Sequence, residues 1–526
     1  MKKELLAFCL LLTSFLLFSA MAKAAVFTVS RGDDRNNATC VLGDCSLREA
    51  IKTANNAAGS DTINFAAGIT SIQLTSALPD VTSVISIQGG SGITVTGNKA
   101  VSTFRPFHVV IAGVGDLTLD KITVTNGKET AGGGLWNQAT ATLTNCTFSG
   151  NEATSDAGGV YNTGTMTISN SVISGNSAVF NGGGIRNGGT LTIIESTVAS
   201  NSSNVMGSTL ANSNGGGIYN VGFLTVVRST ISGNITAGNG GGISNGAQFA
   251  VRIINSTISL NSAYQGTGGG FYDLGAGTTI TNATITANIA TVGSGFYNEN
   301  TNQSSFLRNT IVAANTGGAT TSDVFGAFSN SFNNLIGTSD GSTGLVNGAN
   351  GNIVGTIAAP VDPKIMPLAD NGGATQTHKL MSDSPAINAG SNALAVDQNN
   401  TALTTDQRGA GFPRINDGTV DIGAFESSSP TAASVNIDGK VTTINGRGIA
   451  RATVTITDSA GNRQTRMTNS FGYFRFQDIP AGETYIIEVR NKLYVFAPQV
   501  ISLTEDIDVL NFTALLSKQN LEEIQK

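Results

Sequence analysis

Apolar and polar positions follow a repeating order along the central part of this 526-residue chain. Each repeat contains a glycine run, an apolar residue, a variable residue, Asn, two short β-branched segments and a closing Asn, and most repeats are 25 or 27 residues long. One aligned column holds Leu143, Ile168, Ile193, Val226, Ile253, Ile280 and Leu307, and another holds Phe148, Ile173, Val198, Ile231, Ile258, Ile285 and Val312. Segments this short and this rich in Thr, Ile and Ser predict strands rather than helices.

The uniform apolar columns predict an all-β fold, a right-handed parallel β-helix in which each repeat forms one coil. Like side chains of successive coils would stack at about the 4.8 Å spacing of paired strands and fill one continuous interior. Glycine suits turns where φ is positive, and Asn suits positions where side chains donate and accept along a ladder. A single coil cannot bury its own apolar side chains, so the repeats must stack to be stable.

A short helix is predicted to cap the N-terminal end of this stack. Ser46 and Glu49 have the spacing of a capping box. The apolar residues of the same segment fall on one helical face, and they are Leu47, Ala50, Ile51 and Ala54. An open first coil would expose apolar side chains and unpaired backbone groups, and such a helix would cover them.

Changes in composition divide the chain into seven predicted segments. They are a signal peptide (1–24), the N-terminal cap (25–65), the β-helix repeats (66–345), a closing segment (346–426), a linker (427–434), a small β-sandwich (435–516) and a tail (517–526). Lys2 and Lys3 before an apolar run, with small residues up to Ala24, indicate the signal peptide. We therefore expect a secreted or peripheral cell-surface protein without a transmembrane segment in the mature chain.

Three regions of the chain resemble known families. VFTVSRGDDRNNATCVLGDCSLREAIKTAN resembles the start of bacterial secreted proteins named for the CSLREA motif. DPKIMPLADNGG, SPAINAG and DQRGAGFPRINDGTVDIGAFE resemble their closing segment, often described as a choice-of-anchor region, and GRGIARATVTITD with TNSFGYFRFQDIPAGETYIIEV resembles a carboxypeptidase regulatory-like domain. These resemblances imply architecture and export, but no settled activity and no catalytic residues.

Charge and cysteine content agree with that compartment. The formal net charge is −6, and losing three lysines and one glutamate with residues 1–24 changes it to −8. Such acidity argues against nucleic acid or an anionic membrane as partner. Cys40 and Cys45 form a candidate disulfide beside the capping helix, with two free thiols as the alternative. Cys146 is expected to be a small buried hydrophobe.

Candidate catalytic and metal-binding groups are few. Glu152 and Asp156 lie in one loop, where a solvated turn is the alternative to a catalytic pair. His108 and His378 are far apart in sequence and lack metal-ligand spacing. The densest acidic cluster holds Asp397, Asp406, Asp417, Asp421 and Glu426, interleaved with Arg408 and Arg414. These carboxylates either pair with the arginines to fasten the last coil or bind Ca²⁺, and no other cofactor is predicted.

One variable column is unusually aromatic. It holds Trp136, Tyr161, Arg186, Tyr219, Ser244, Tyr272 and Tyr297. Strand alternation places this column on the face opposite to its apolar neighbours. Exposed rings on a flat sheet would form a binding platform for sugars or a partner surface, and the favoured alternative is a self-stacking ladder sheltered by a turn.

These features favour a noncatalytic secreted or cell-surface protein that functions in adhesion or in binding a partner, either a polysaccharide or a cell-surface protein. Two alternatives stay open. Parallel β-helices also serve polysaccharide lyases or glycoside hydrolases, and a rod of stacked coils could form a structural surface layer. Fold alone does not decide between them.

Overall fold

The computed structural model describes residues 24–37, 39–111, 114–204, 213–246, 249–275, 277–299, 305–317, 322–428, 434–459 and 461–517. The predicted signal peptide and tail therefore lie outside the described residues, apart from Ala24 and Ser517. The chain forms two compact units, the first ending at Ser427 and the second beginning at Ser428. No helix among the described residues is long and apolar enough to cross a membrane.

The first unit is a stack of parallel coils, which confirms the predicted β-helix. Three sheets run along it. The main sheet contains Val26–Val29, Ser60–Phe65, Ser71–Gln73, Val84–Thr96, Asp116–Thr125, Thr140–Thr144, Thr147–Ser149, Thr165–Ser169, Val172–Ser174, Thr190–Ile194, Thr197–Ala199, Phe223–Val227, Thr230–Ser232, Val251–Ile254, Thr257–Ser259, Thr279–Thr281, Thr284–Thr286, Phe306–Arg308, Ile311–Ala313, Leu335–Ile336 and Ile353–Val354. The ladder sheet contains Phe107–Val109, Leu135–Asn137, Val160–Asn162, Ile185–Asn187, Ile218–Asn220, Ile243–Asn245, Phe271–Asp273, Phe296–Asn298, Val324–Ala327 and Ser342–Thr343. The short sheet contains Lys128–Glu129, Glu152–Ala153, Ser177–Ala178, Ser202–Ser203, Ile235–Thr236, Ser262–Ala263, Ile289–Ala290 and Thr316–Gly317.

Each repeated coil bends the main sheet at one residue with positive φ. These bend residues are Lys121, Asn145, Asn170, Glu195, Arg228, Asn255, Asn282 and Asn309. Five of the eight are Asn, the non-glycine residue that best tolerates left-handed backbone. The bend separates two strands of each coil, which therefore face different directions and form two outer faces of the main sheet.

Both predicted apolar columns fill the interior. Leu143 pairs with Ile168 and Ile168 with Ile193 in register, and all three side chains are fully buried. Phe148 stacks on Ile173 in the same way. The side chains of the two columns belong to one continuous apolar core, so the same spacing that repeats in the sequence sets the packing of the interior.

Two ladders of buried Asn side chains connect the coils. In the closing ladder, Asn176 Nδ2 donates to Asn201 Oδ1 at 2.9 Å, and Asn201 Nδ2 donates to Asn234 Oδ1 at 3.0 Å. The backbone N–H of each of these residues donates to the same acceptor oxygen. The other ladder runs from Asn137 through Asn162, Asn187, Asn220 and Asn245 to Asp273. Each rung thus pairs polar groups that the core would otherwise leave unsatisfied.

The N-terminal helix spans Leu47–Asn56 and caps the first coils. Ser46 accepts from the Glu49 backbone N–H, and the Glu49 side chain accepts from the Ser46 N–H, which completes the predicted capping box. The four predicted apolar residues are buried in the main core. Two short 3₁₀ helices, Ala349–Gly351 and Asn392–Leu394, lie in the closing segment.

The second unit is a small β-sandwich with its own apolar core, built around buried residues such as Ile437, Phe476 and Phe512. Its strands are Ser434–Thr442, Thr453–Thr457, Arg463–Met467, Tyr473–Pro480, Thr484–Arg490, Tyr494–Val495, Gln499–Ser502, Ile507–Thr513 and Leu516–Ser517. A three-stranded and a four-stranded sheet contain most of these strands. Alternate residues point into the core, as expected for strands with one buried face.

Candidate functional site

The candidate site is an outward column of the ladder sheet, which we call the ladder column. Its members are His108, Trp136, Tyr161, Arg186, Tyr219, Ser244, Tyr272, Tyr297 and Phe325, paired in register from coil to coil. The preceding residue of each strand, such as Val160 before Tyr161, points into the core and is fully buried. Period-two alternation therefore directs the ladder column away from the core.

Aromatic rings of the ladder column stack on one another. Trp136 lies between His108 and Tyr161, with ring centroids 5.0 Å and 5.5 Å away. Tyr297 lies between Tyr272 and Phe325, at 5.8 Å and 4.9 Å. The stacked planes are within about 20° of parallel. Both faces of Trp136 and of Tyr297 are therefore occupied by neighbouring rungs, and only the edges of these two rings can meet a ligand.

Arginine continues the stack where rings are missing. The Arg186 guanidinium lies 4.8 Å from the Tyr161 ring centroid and 6.0 Å from that of Tyr219, and it donates to the Tyr161 hydroxyl. Arg105 covers Trp136 from outside the column at 4.9 Å, and burial lowers the pKa of this guanidinium. Cation–π contacts of this kind extend the ladder with positive charge.

Carboxylates beside the ladder column are paired with its side chains. Asp80 accepts from His108 at 2.9 Å, and Asp156 lies 3.7 Å from Arg186. Glu299 accepts from the Tyr272 hydroxyl, and burial together with this carboxylate raises the pKa of the phenol. Acids positioned in this way orient the ladder and balance its charge.

Exposure along the ladder column is graded. Of the five predicted platform residues, Trp136, Tyr161, Tyr219 and Tyr297 are partly exposed, whereas Tyr272 is buried at 8% exposure. Burial also raises the pKa of Tyr219 and Tyr297. A platform of open ring faces is therefore wrong for Tyr272, and the stacked ladder describes the column better, because its rings contact each other before they contact solvent.

Sequence reasoning missed both ends of the ladder column. His108 and Phe325 occupy the same register as Trp136 and Tyr297 but belong to less regular coils without a full glycine run. Extending the column by one coil in each direction would have found them. The first glycine of a run lies directly against the ladder column. A Cβ on Gly293, for example, would lie only 3.0 Å from the Tyr297 Cβ.

The other candidate acids of the β-helix are engaged elsewhere. Glu152 bridges Lys99 at 2.8 Å and Lys128 at 3.1 Å, and the Lys99 hydrogen bond holds the pKa of this carboxyl below its usual range. Asp156 faces Arg186 instead. Each of the two carboxylates is therefore paired with cations of its own.

The acidic cluster of the closing segment forms ion pairs. Arg408 donates to Asp406 at 2.6 Å, and the fully buried Arg414 donates to Glu426 at 2.9 Å. Asp421 accepts from the Ser427 N–H and Asp397 from the Thr401 N–H. Throughout the described ranges, no three His, Cys, Asp or Glu side chains, Asp417 included, form a group that could hold a metal ion. Arginine pairing is therefore observed for Asp406 and Glu426, whereas backbone N–H groups bind Asp397 and Asp421.

The cysteines and His378 are either disulfide-bonded or buried. Cys40 and Cys45 are joined by a disulfide with their Cα atoms 4.6 Å apart. Cys146 is buried in the core, and burial raises the pKa of its thiol to about 11, so it stays protonated. His378 is buried between Met366 and Ser259, and desolvation lowers its pKa.

Comparison with known proteins identifies one part of the chain. No curated protein matches it by sequence. Among solved structures, the crystal structure of pectate lyase Pel9A is similar at a TM-score of 0.46 and 16% identity, covering 78% of this chain and 98% of the lyase. Residues 436–513 match the family model of the Carboxypeptidase regulatory-like domain. The chain therefore carries a carboxypeptidase regulatory-like domain after its parallel β-helix, as its sequence predicts.

Proposed function

We propose that this protein is a noncatalytic secreted or cell-surface scaffold that binds polysaccharide along the outer edge of the ladder column. The observation that carries the proposal is the line of partly exposed side chains along that column, on a sheet whose register is repeated from coil to coil. Such a line suits an extended, repeating ligand. The acidic charge of the chain favours a neutral polymer over a polyanion.

The engagement of the neighbouring carboxylates supports a noncatalytic role. Asp80, Asp156 and Glu299 each contact a ladder side chain. General acid–base catalysis needs a carboxyl or imidazole that can exchange its proton with the substrate. Acids held by His108, Arg186 and Tyr272 serve the ladder instead.

Phenolic edges are the groups best placed to contact a ligand. Tyr219 and Tyr297 are partly exposed, and neither hydroxyl has a hydrogen-bond partner among the described residues. Ring stacking holds Tyr297 and the Arg186 contact holds Tyr219, so little side-chain entropy is lost on binding. A polysaccharide hydroxyl could then bind each phenol without disturbing the stack.

Paired Tyr→Phe variants test this proposal on a panel of neutral polysaccharides. Tyr219→Phe with Tyr297→Phe keeps both aromatic rings and removes two hydroxyls, so binding should weaken about tenfold while the melting temperature changes little. Tyr473→Phe, the same change at an exposed tyrosine of the second unit, is the matched control. Unchanged binding in the double variant, or release of new reducing ends from a neutral polysaccharide by the wild type, would contradict the proposal.

A further inference from the structure

One outer face of the main sheet changes abruptly from open to covered along the β-helix. It is formed by the strands that follow the bend residues, and two columns on it point outward. The open part, which we call the open face, holds Thr94, Thr96, Thr123, Thr125, Thr147, Ser149, Val172, Ser174, Thr197 and Ala199. The covered part, the covered face, continues the same register with Thr230, Ser232, Thr257, Ser259, Thr284 and Thr286. Val172 is 38% exposed, whereas Thr230 is 1% exposed.

The closing segment covers the second part by binding its hydroxyls. Thr230 Oγ1 donates to the Gln376 carbonyl at 2.6 Å, and Thr284 Oγ1 accepts from the Ala424 N–H at 3.0 Å. The Gln407 side chain accepts from Thr257 at 2.6 Å and donates to Thr230 at 2.9 Å. These contacts use main-chain groups and an uncharged amide, so the face holds the closing segment without ion pairs.

The path of the closing segment matches the spacing of the coils. Gln376 contacts Thr230, and two residues later His378 contacts Ser259 on the next coil at 2.9 Å. Two extended residues advance about 6.6 Å, enough to cross the roughly 4.8 Å between coils at a slant. Leu380 then packs in the apolar cluster around Ile311. Five residues, 376–380, therefore pass from the coil of Thr230 to the apolar cluster that contains Ile311.

The open face offers the same chemistry without an occupant. Its eight hydroxyl groups belong to Thr or Ser at the register positions that bind the closing segment farther along, and none of them makes a side-chain hydrogen bond within the described part of the chain. Both columns are uncharged on the two faces. The closing segment stops at the boundary, where Gly409 approaches the Glu195 carboxylate that pairs with Arg228.

We propose that the open face binds an extended, uncharged polypeptide segment of a partner protein, in the way that the covered face binds the closing segment. The register is continuous between the two faces, and the outward residue types are the same, so a bound segment would pair its main-chain carbonyl and amide groups with Thr123, Thr147 and Thr197. This surface lies on a different sheet from the ladder column and adds a protein partner to the proposed polysaccharide.

A fluorescent peptide of residues 371–378 with blocked ends, NGGATQTH, is the probe, titrated into the full chain by fluorescence anisotropy at about pH 8, where the peptide is uncharged. We expect saturable binding that weakens about tenfold in Thr147→Val with Thr197→Val, because two hydrogen-bonding hydroxyls are lost while β-branched shape is kept. Thr142→Val with Thr192→Val changes the same coils before the bend and is the matched control. It should leave binding unchanged.

Cross-linking distinguishes this site from other sites on the chain. A photoreactive group at the Gln376 position of the peptide should attach to strands 147–149, 172–174 or 197–199. Attachment elsewhere, absence of saturable binding, or equal loss in both double variants would overturn the proposal. Loss of neutral polysaccharide binding in Thr147→Val with Thr197→Val would also overturn it, because the open face would then be a glycan site. Failure of the Tyr219 and Tyr297 variants affects only the polysaccharide proposal.

Discussion

Replacing one rung of the closing Asn ladder should destabilise the β-helix strongly. Asn176 is fully buried and makes four side-chain hydrogen bonds, to Asn151 N and Nδ2, to Asn201 Oδ1 and to the Phe148 carbonyl. Asn176→Leu keeps the branching of the side chain at Cγ but leaves the Asn151 N–H without an acceptor, at about 1–3 kcal/mol. The other three groups each lose one bond worth about 0.5–1.5 kcal/mol. We expect a total loss of about 2.5–7.5 kcal/mol in the free energy of unfolding.

Denaturant unfolding of the first unit, followed by circular dichroism, measures this loss. Asn181→Leu is the control variant. Asn181 also bonds to the preceding coil through Asp156 and to the following coil through Asn214, but it is partly exposed. Water can replace its partners, so its substitution should cost about 1 kcal/mol or less. Equal losses in the two variants, or a change within about 1 kcal/mol of wild type for Asn176→Leu, would refute the idea that buried rungs hold the coils together.

Three further predictions concern the cap, the closing segment and the ladder column. Ile51→Asp places a charge against the apolar core and should lower the melting temperature far more than Lys52→Asp, measured by thermal denaturation. Burial raises the pKa of Glu426 from 4.5 to about 7, so the native state binds this proton more tightly than the unfolded chain. Stability from this group is then present below pH 4.5 and is lost as the pH rises to about 7, and unfolding midpoints of Glu426→Gln across that range should lack this slope. Trp136→Ser removes a ring stacked on both sides and should cost about 2–4 kcal/mol, whereas Phe471→Ser, at a residue 71% exposed, should cost little in the same assay.

The sequence predicts the repeated part of this fold well because the regular spacing of its apolar residues determines how the strands of successive coils are aligned. Once Leu143, Ile168 and Ile193 recur at a fixed interval, the stacked interior follows, and the capping box at Ser46 locates the helix that covers it. Residues outside the period are harder to place. The closing segment has no repeat, so its path across the covered face depends on single contacts such as that of Gln376.

The ladder column shows the same limit at the level of side chains. Alternation gives the outward direction of Tyr272 and Tyr297, but exposure depends on the turns and neighbours that surround each rung. Tyr272 is buried and bonded to Glu299, whereas Tyr297 stays partly exposed. A column in an alignment therefore specifies which residues stack, and only three-dimensional packing specifies which of them a ligand can reach.

The Asn ladder allows whole coils to be added to or deleted from the β-helix during evolution. Asn176 bonds to Asn201 across 25 residues, and Asn201 bonds to Asn234 across 33, with the same geometry at each rung, so extra residues between rungs leave the bond intact. In-frame loss of residues 152–176 would bring Asn151 against Asn201 and restore the ladder one coil shorter. Unequal recombination could thus lengthen or shorten the open face in steps of one coil while the covered face and its closing segment stay unchanged.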